Sequence, residues 1–233
     1  DKGAMMPKDD PEAVAVIRDV FGQEGITLAE KVDIARVEAV PNGIRAILGD
    51  GRRVEGSHLL VAAGRRANVE NLGLDAAGIV FSIKGVQVDG RLRTSNRRVF
   101  AAGDVAGGPQ FTHWASYHAG IILRNALFRL PARVDEAALP WVTFTDPELA
   151  QVGLTEAEAR SRHGDAIRVL TAPFADNDRA RAERRIQGFA KAVTDTRGRI
   201  LGATIVGAHA GEIVQPWALA MAGKLPIGKM ASM

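Results

Sequence analysis

The stretch TSNRRVFAAGDV, Thr94–Val105, carries an apolar run, Val99-Phe100-Ala101-Ala102, straight into Gly103-Asp104 rather than into a conventional turn. The run reads as a strand buried on both faces, and a carboxylate set directly after such a strand is costly unless something uses it. In open α/β folds, ligands lie in the crevice beyond the carboxyl ends of parallel strands, so Asp104 is placed where a ligand would be met. Gly103 has no side chain to hold that ligand away. Working outward, His58-Leu59-Leu60-Val61-Ala62-Ala63-Gly64 reads as a second fully buried strand of a parallel sheet, and Gly64 ends it at the same kind of edge. On the other side, Thr112 is expected to cap a helix whose apolar positions Ala115, Ala119, Ile122, Ala126 and Leu127 recur at spacings of three and four. A helix start offers unpaired backbone N–H groups and is a ready anion site, which brings Gln110, Phe111, Thr112 and His113 into consideration.

The rest of the chain sorts into helical and alternating segments. Asp10-Pro11 provides an N-cap followed by proline, and Val14, Ile17, Val20 and Phe21 give one buried helical face that Gly25 ends. From Ile26 to Glu55 short alternating runs are broken by Pro41-Asn42-Gly43 and Gly49-Asp50-Gly51, which predicts a small antiparallel meander. From Leu139-Pro140 onward the pattern is strand, turn, capped helix, then several strands and another helix, an α+β unit. Thr155-Glu156-Ala157-Glu158 is a capping box, and Thr196-Arg197-Gly198-Arg199 joins two alternating runs as a hairpin. Pro216 falls inside the final long helix and is expected to kink it.

Composition narrows the function classes. The 233 residues are 46% apolar and 24% charged, a globular balance long enough for one large domain or two small ones. No apolar stretch approaches the length of a spanning helix and no basic, apolar, small-residue leader is present, so a soluble, cytoplasmic segment without membrane contact is expected. The net charge of +3 is spread among scattered basic residues and the chain has a single Tyr, which argues against nucleic acid as a partner. With no cysteine, disulfides, thiolate metal sites and thiol catalysis are excluded within this segment. His209-Ala210-Gly211-Glu212 has the spacing of a metal pair, but no further ligand set converges on it in sequence. The run Arg179–Arg185 reads as a solvated face or an interface rim.

Thr94 through Asp104 resembles the second flavin-binding fingerprint of the FAD-dependent pyridine nucleotide-disulfide oxidoreductases, in which a threonine precedes a short apolar strand ending in Gly-Asp. Leu59 to Asn68 is similar to the family's strand-Gly-Arg segment, with Ala67 in place of the usual proline. Pro140–Ala159 resembles the start of the family's dimerisation domain, and Ile200-Leu201-Gly202-Ala203 and Gly207–Glu212 match two further signatures of it. The resemblance, nearest to lipoamide dehydrogenase-like and mercuric reductase-like proteins, implies partial dinucleotide-binding (Rossmann-type) α/β domains followed by an α+β domain. Residues 1–66 would be the C-terminal part of the NAD(P)-binding domain, 67–136 a segment of the FAD-binding and central domain, and 137–233 the dimerisation domain.

The same resemblance implies the cofactors FAD and NAD(P). Asp104 would accept a hydrogen bond from a ribityl hydroxyl with Gly103 giving close approach, and the helix start at Gln110, Phe111, Thr112 and His113 would face the flavin pyrimidine edge. Its dipole would favour negative charge there by about 0.3–2 kcal/mol. His113 is read as a positioning residue, with a merely packed histidine as the alternative. Gly64 would be a nicotinamide-side contact or a plain turn glycine. Asp1 would bind the adenosine ribose, while Lys2 beside it suits a 2′-phosphate, so NAD and NADP both stay open.

Both ends read as cut. The redox cysteine pair, the two glycine-rich phosphate loops and the C-terminal His-Glu pair of relatives do not occur in these residues, so no catalytic residue is assigned and the segment alone is expected to be inactive. A parent enzyme would pass electrons from NAD(P)H through FAD to a disulfide or a metal ion. The alternative is a non-catalytic association module or degenerate homologue. A homodimer through residues about 139–233 is expected in either case, with Trp141, Phe144, Trp217 and Met221 as apolar groups a small unit would struggle to cover alone.

Overall fold

The computed structural model describes residues Gly3–Ser232, and Asp1 and Lys2 lie outside the described residues. The chain is mixed α/β and divides into two compact units. One runs to Val61 and resumes at Ala137; the other is Ala62–Glu136.

The first unit opens with helix α1 (Pro11–Gln23), started where the sequence marks it: the Asp10 carboxylate accepts the N–H groups of Glu12 and Ala13, and proline follows it. Ala13, Val14 and Ile17 are its buried face. The meander follows as β1 (Ile34–Val40), β2 (Gly43–Leu48) and β3 (Arg53–Gly56), antiparallel in the order β1-β2-β3.

The second unit holds a two-residue ribbon, β4 (Phe81–Ser82) with β5 (Gly85–Val86), and one long helix, α2 (Thr112–Ala126). A small apolar core of Ile79, Val86 and Ala101 lies under the ribbon, and a second of Leu92, Ile121 and Ala132 lies under the helix.

The chain then returns to the first unit. Strands β6 (Pro140–Thr143) and β7 (Glu148–Gly153) precede α3 (Glu156–His163), β8 (Ile167–Pro173) and α4 (Asp178–Glu183). The hairpin β9 (Phe189–Asp195) and β10 (Ile200–Gly207) leads into α5 (Ala210–Ala222) and the short α6 (Ile227–Met230). The five strands form one antiparallel sheet in the order β6-β7-β10-β9-β8. Alternation gives the sheet two working faces. Ala150, Val152, Ala203 and Ile205 pack against Ala210, Val214 and Ala218 of α5. On the opposite face Leu149 and Val206 meet Ala13, Val14 and Ile17 of α1.

That second face carries a buried ionic network. Lys191 on β9 is 3% exposed and its Nζ lies 3.0 Å from Asp10, 2.6 Å from Glu12 and 3.2 Å from Glu156. Burial alone would lower the lysine pKa, but the carboxylates of Glu12, Asp10 and Glu156 outweigh it and the ammonium is held charged. One side chain thus ties the start of α1 and the start of α3 to the sheet. The capping box forms at α3, with Thr155 and Glu158 exchanging their hydrogen bonds. The Glu148 carboxylate accepts the Gly211 N–H at the start of α5, 2.8 Å away.

Three expectations are corrected. His58–Gly64 forms no strand, and Leu60 and Val61 are 89% and 75% exposed. A parallel strand buried on both faces needs neighbours on both edges, and every strand pair among the described residues is antiparallel. Val99–Ala102 likewise makes only one bridge, Arg93 with Phe100, rather than a ladder. On α2 the buried stripe is Trp114, His118, Ile121 and Asn125, one residue back from the expected face. Two of its four members are polar, and each is satisfied: Asn125 donates to the carbonyls of Ile121 and Ala132, and His118 has a partner described below. Helix α5 is continuous through Pro216.

Candidate functional site: the glycine turn before α2

The second unit builds the site from a tight chain reversal. Thr94 is buried; its N–H donates to Val99 O, its hydroxyl to Asn96 O, and Val99 N–H to Asn96 O. This pins the loop, and Ala101 N–H to Leu92 O carries the chain to Gly103. Gly103–Ala106 then forms a single 3₁₀ turn closed by Gly107 N–H to Asp104 O at 3.1 Å.

Glycine is required here by contact as well as by conformation. Gly103 has φ +68°, and a Cβ on it would stand 2.9 Å from the Ala115 Cβ of α2. Gly85 has φ +131°, and a Cβ there would stand 2.7 Å from both Gly107 N and Val105 O. Ribbon and turn therefore meet backbone to backbone, and the turn meets the helix at the Ala115 methyl. The Asp104 side chain, half-buried on this turn, makes no hydrogen bond or ion pair with any described residue.

Beyond the turn, Gln110 O accepts a hydrogen bond from the Arg65 guanidinium at 2.7 Å. Phe111 is extended and is itself the N-cap, so Thr112 is the first helical residue and not the cap expected from sequence. No side chain caps α2; the Phe111 carbonyl instead takes the N–H groups of Trp114 and Ala115. The Phe111 and His113 rings stack with centroids 5.4 Å apart and 11° between planes, and His113 is exposed. Gly103, Asp104, Gln110, Phe111, Thr112 and His113 are thus brought into one continuous turn-and-helix start. Gly64, at φ +107° with open space around it, lies in the exposed stretch that forms no strand. Asp1 falls outside the described residues.

His118 was not singled out from the sequence. Its Nδ1 accepts the Gly103 N–H at 3.1 Å, its ring packs 4.7 Å from that of Trp114, and it is 3% exposed. Burial lowers its pKa against the opposing charge of Glu136. The signal available was its place four residues after Trp114 on one helical face. Gly85 and Arg65 were missed too, since their roles depend on contacts across about 20 and 45 residues of chain.

A family profile described as pyridine nucleotide-disulphide oxidoreductase matches residues 2–119, and that family's dimerisation domain matches residues 139–233. The chain belongs to the pyridine nucleotide-disulphide oxidoreductase family. It is 35% identical to a mercuric reductase of Streptomyces lividans over 99% of its own length and 49% of the relative's. To a dihydrolipoyl dehydrogenase of Bacillus subtilis it is 36% identical over 80% of its length and 40% of the relative's. Among solved structures, LpdA from Mycobacterium tuberculosis superposes with a TM-score of 0.92 at 27% identity, covering 100% of this chain and 51% of that one. The HOCl-induced flavoprotein disulfide reductase RclA of Escherichia coli gives 0.89 at 27% identity, covering 97% and 52%. The chain therefore spans about half the length, or less, of these relatives. No helix among the described residues is long and apolar enough to cross a membrane.

Proposed function

We propose that the chain is part of a flavoprotein that takes electrons from NAD(P)H and passes them through FAD to a disulfide or a metal ion. The observation that carries this reading is the free Asp104 carboxylate on a glycine turn packed backbone to backbone, just ahead of a helix start that no side chain caps. A carboxylate held without a partner suits a ligand hydroxyl, and an uncapped helix start suits a group that gains negative charge. Family membership adds weight, and the relatives' names point to two substrate classes, a mercuric ion and the dihydrolipoyl dithiol, whose oxidised form is the disulfide.

When bound, FAD would supply the hydride-accepting and electron-relaying chemistry. This chain would orient it: Asp104 would hold a ribityl hydroxyl, Gly103 would allow close approach, and residues Gln110 to His113 would present the positive end of α2. Gly64 and Asp1 are proposed as contacts on the nicotinamide side. The working compartment we infer is the cytoplasm, with nucleic acid no partner.

A homodimer formed through residues about 139–233 is part of the same reading, supported by the match to the dimerisation domain. Of the four apolar side chains expected to need a partner, Trp217 and Met221 pack on the unit's own α5 core, and Trp141 is half-buried with its Nε1 donating to Asp9. Phe144, at 83% exposed, alone of the four remains a candidate for the interface, and the exposed Leu219 on α5 is added to it.

The test is the chromophore. The full-length protein should purify yellow and release FAD on denaturation. A colourless protein that takes up no FAD on dialysis against it would contradict the proposal and favour an association module.

A further inference from the structure

We propose that His118 is a positioning residue for the flavin: its Nδ1 takes the Gly103 N–H and so locks the positive-φ turn that presents Asp104. The inference rests on the flavin reading above but concerns a residue that no part of it uses. Gly103 and its N–H are buried, and a left-handed turn followed by a 3₁₀ turn leaves that N–H no acceptor within its own element. His118 reaches it from α2, across the contact where the Gly103 Cα already abuts Ala115. Trp114 covers the ring on its own helix, so the imidazole has a fixed place.

The bond demands one protonation state. Nδ1 accepts only when it carries no proton, so the proton of neutral His118 sits on Nε2. An imidazolium would set a second N–H against that of Gly103 and release the turn. The charged group acting on the ring is Glu136, on the segment after α2; the Tyr117 ring of α2 lies 6.4 Å away, and Asp104 follows Gly103 on the turn. Burial lowers the pKa and Glu136 opposes it, so the acceptor form holds at neutral pH and is lost toward acid. Flavin affinity should therefore be constant above about pH 7 and weaken below the ordinary histidine range near pH 6.5.

Two variants of the full-length protein separate this from packing. His118→Asn puts an amide oxygen near the position of Nδ1 and does not titrate; His118→Phe fills the space with no acceptor. FAD dissociation constants would be measured from pH 5.5 to 8 by flavin fluorescence, with amide exchange of the segment around Gly103 followed by mass spectrometry in the flavin-free protein. Expected are wild-type affinity falling toward pH 5.5, a flat profile for His118→Asn, and for His118→Phe a loss of roughly tenfold to a hundredfold at every pH, as for a stranded buried donor. Exchange at Gly103 should be slow in wild type and His118→Asn and fast in His118→Phe. If wild type and His118→Asn share one pH profile, or His118→Phe keeps both affinity and slow exchange, the inference is overturned while the flavin reading stands. If wild type binds no FAD at any pH, the flavin reading itself fails and this inference with it.

Discussion

Asp104 has no partner among the described residues, and that decides what its loss should do. Removing a carboxylate that pairs with nothing in the protein costs the fold little, so Asp104→Ala in the full-length protein should leave the melting temperature near wild type. It should weaken FAD retention by about 1.5–3 kcal/mol, the range of a charge-assisted hydrogen bond, seen as flavin lost on dialysis. Gly85→Ala should behave in the opposite way. Its Cβ would meet the backbone of Val105 and Gly107 at 2.7 Å, so the ribbon or the turn must shift, and stability and flavin binding should fall together. His118 adds a pH term. Its folded pKa lies below the unfolded value, so the unfolded chain binds the proton first and stability falls as pH drops below about 6.5, with no contribution above it. Urea midpoints of wild type compared with His118→Asn between pH 5.5 and 8 should show that difference.

At the scale of elements, the first unit hangs on Lys191. Its ammonium holds Asp10 and Glu156 at two helix starts, and replacing it with methionine strands a buried carboxylate at the N-cap of α1. Lys191→Met is expected to cost about 3 kcal/mol, the lower end for breaking a buried pair because Glu12 and Glu156 are partly solvated, and urea unfolding would measure it. Local signals made much of this unit readable in advance. Asp10-Pro11, the Thr155 capping box, the Pro41-Asn42-Gly43 turn and the Thr196–Arg199 hairpin act within a few residues of chain, and each forms. His58–Gly64 and Val99–Ala102 misled because a buried strand is defined by neighbours rather than by its own residues. The α2 face slipped by one for a related reason: apolar periodicity passes over His118 and Asn125, whose burial depends on partners at Gly103, Ile121 and Ala132. At the candidate site, Gly103-Asp104 was legible as a costly ending to an apolar run, whereas the acceptor that holds it lies 15 residues away on another element.

For the whole molecule, the chain carries the turn proposed to hold the flavin and matches the family's dimerisation domain, but its residues include neither glycine-rich phosphate loop. The 233-residue chain by itself, supplied with FAD and NADH, should therefore show no turnover, and measurable turnover would mean that the division of labour is misread. The full-length protein should sediment as a dimer at micromolar concentration, and Phe144→Asp should shift it toward monomer if the exposed ring lies in the interface. The most direct measurement of the central claim is an anaerobic titration of the full-length, flavin-loaded protein with NADH and NADPH. The flavin absorbance near 450 nm should bleach in proportion to the nucleotide added. A bound flavin that keeps its oxidised spectrum in excess of both nucleotides would contradict the account.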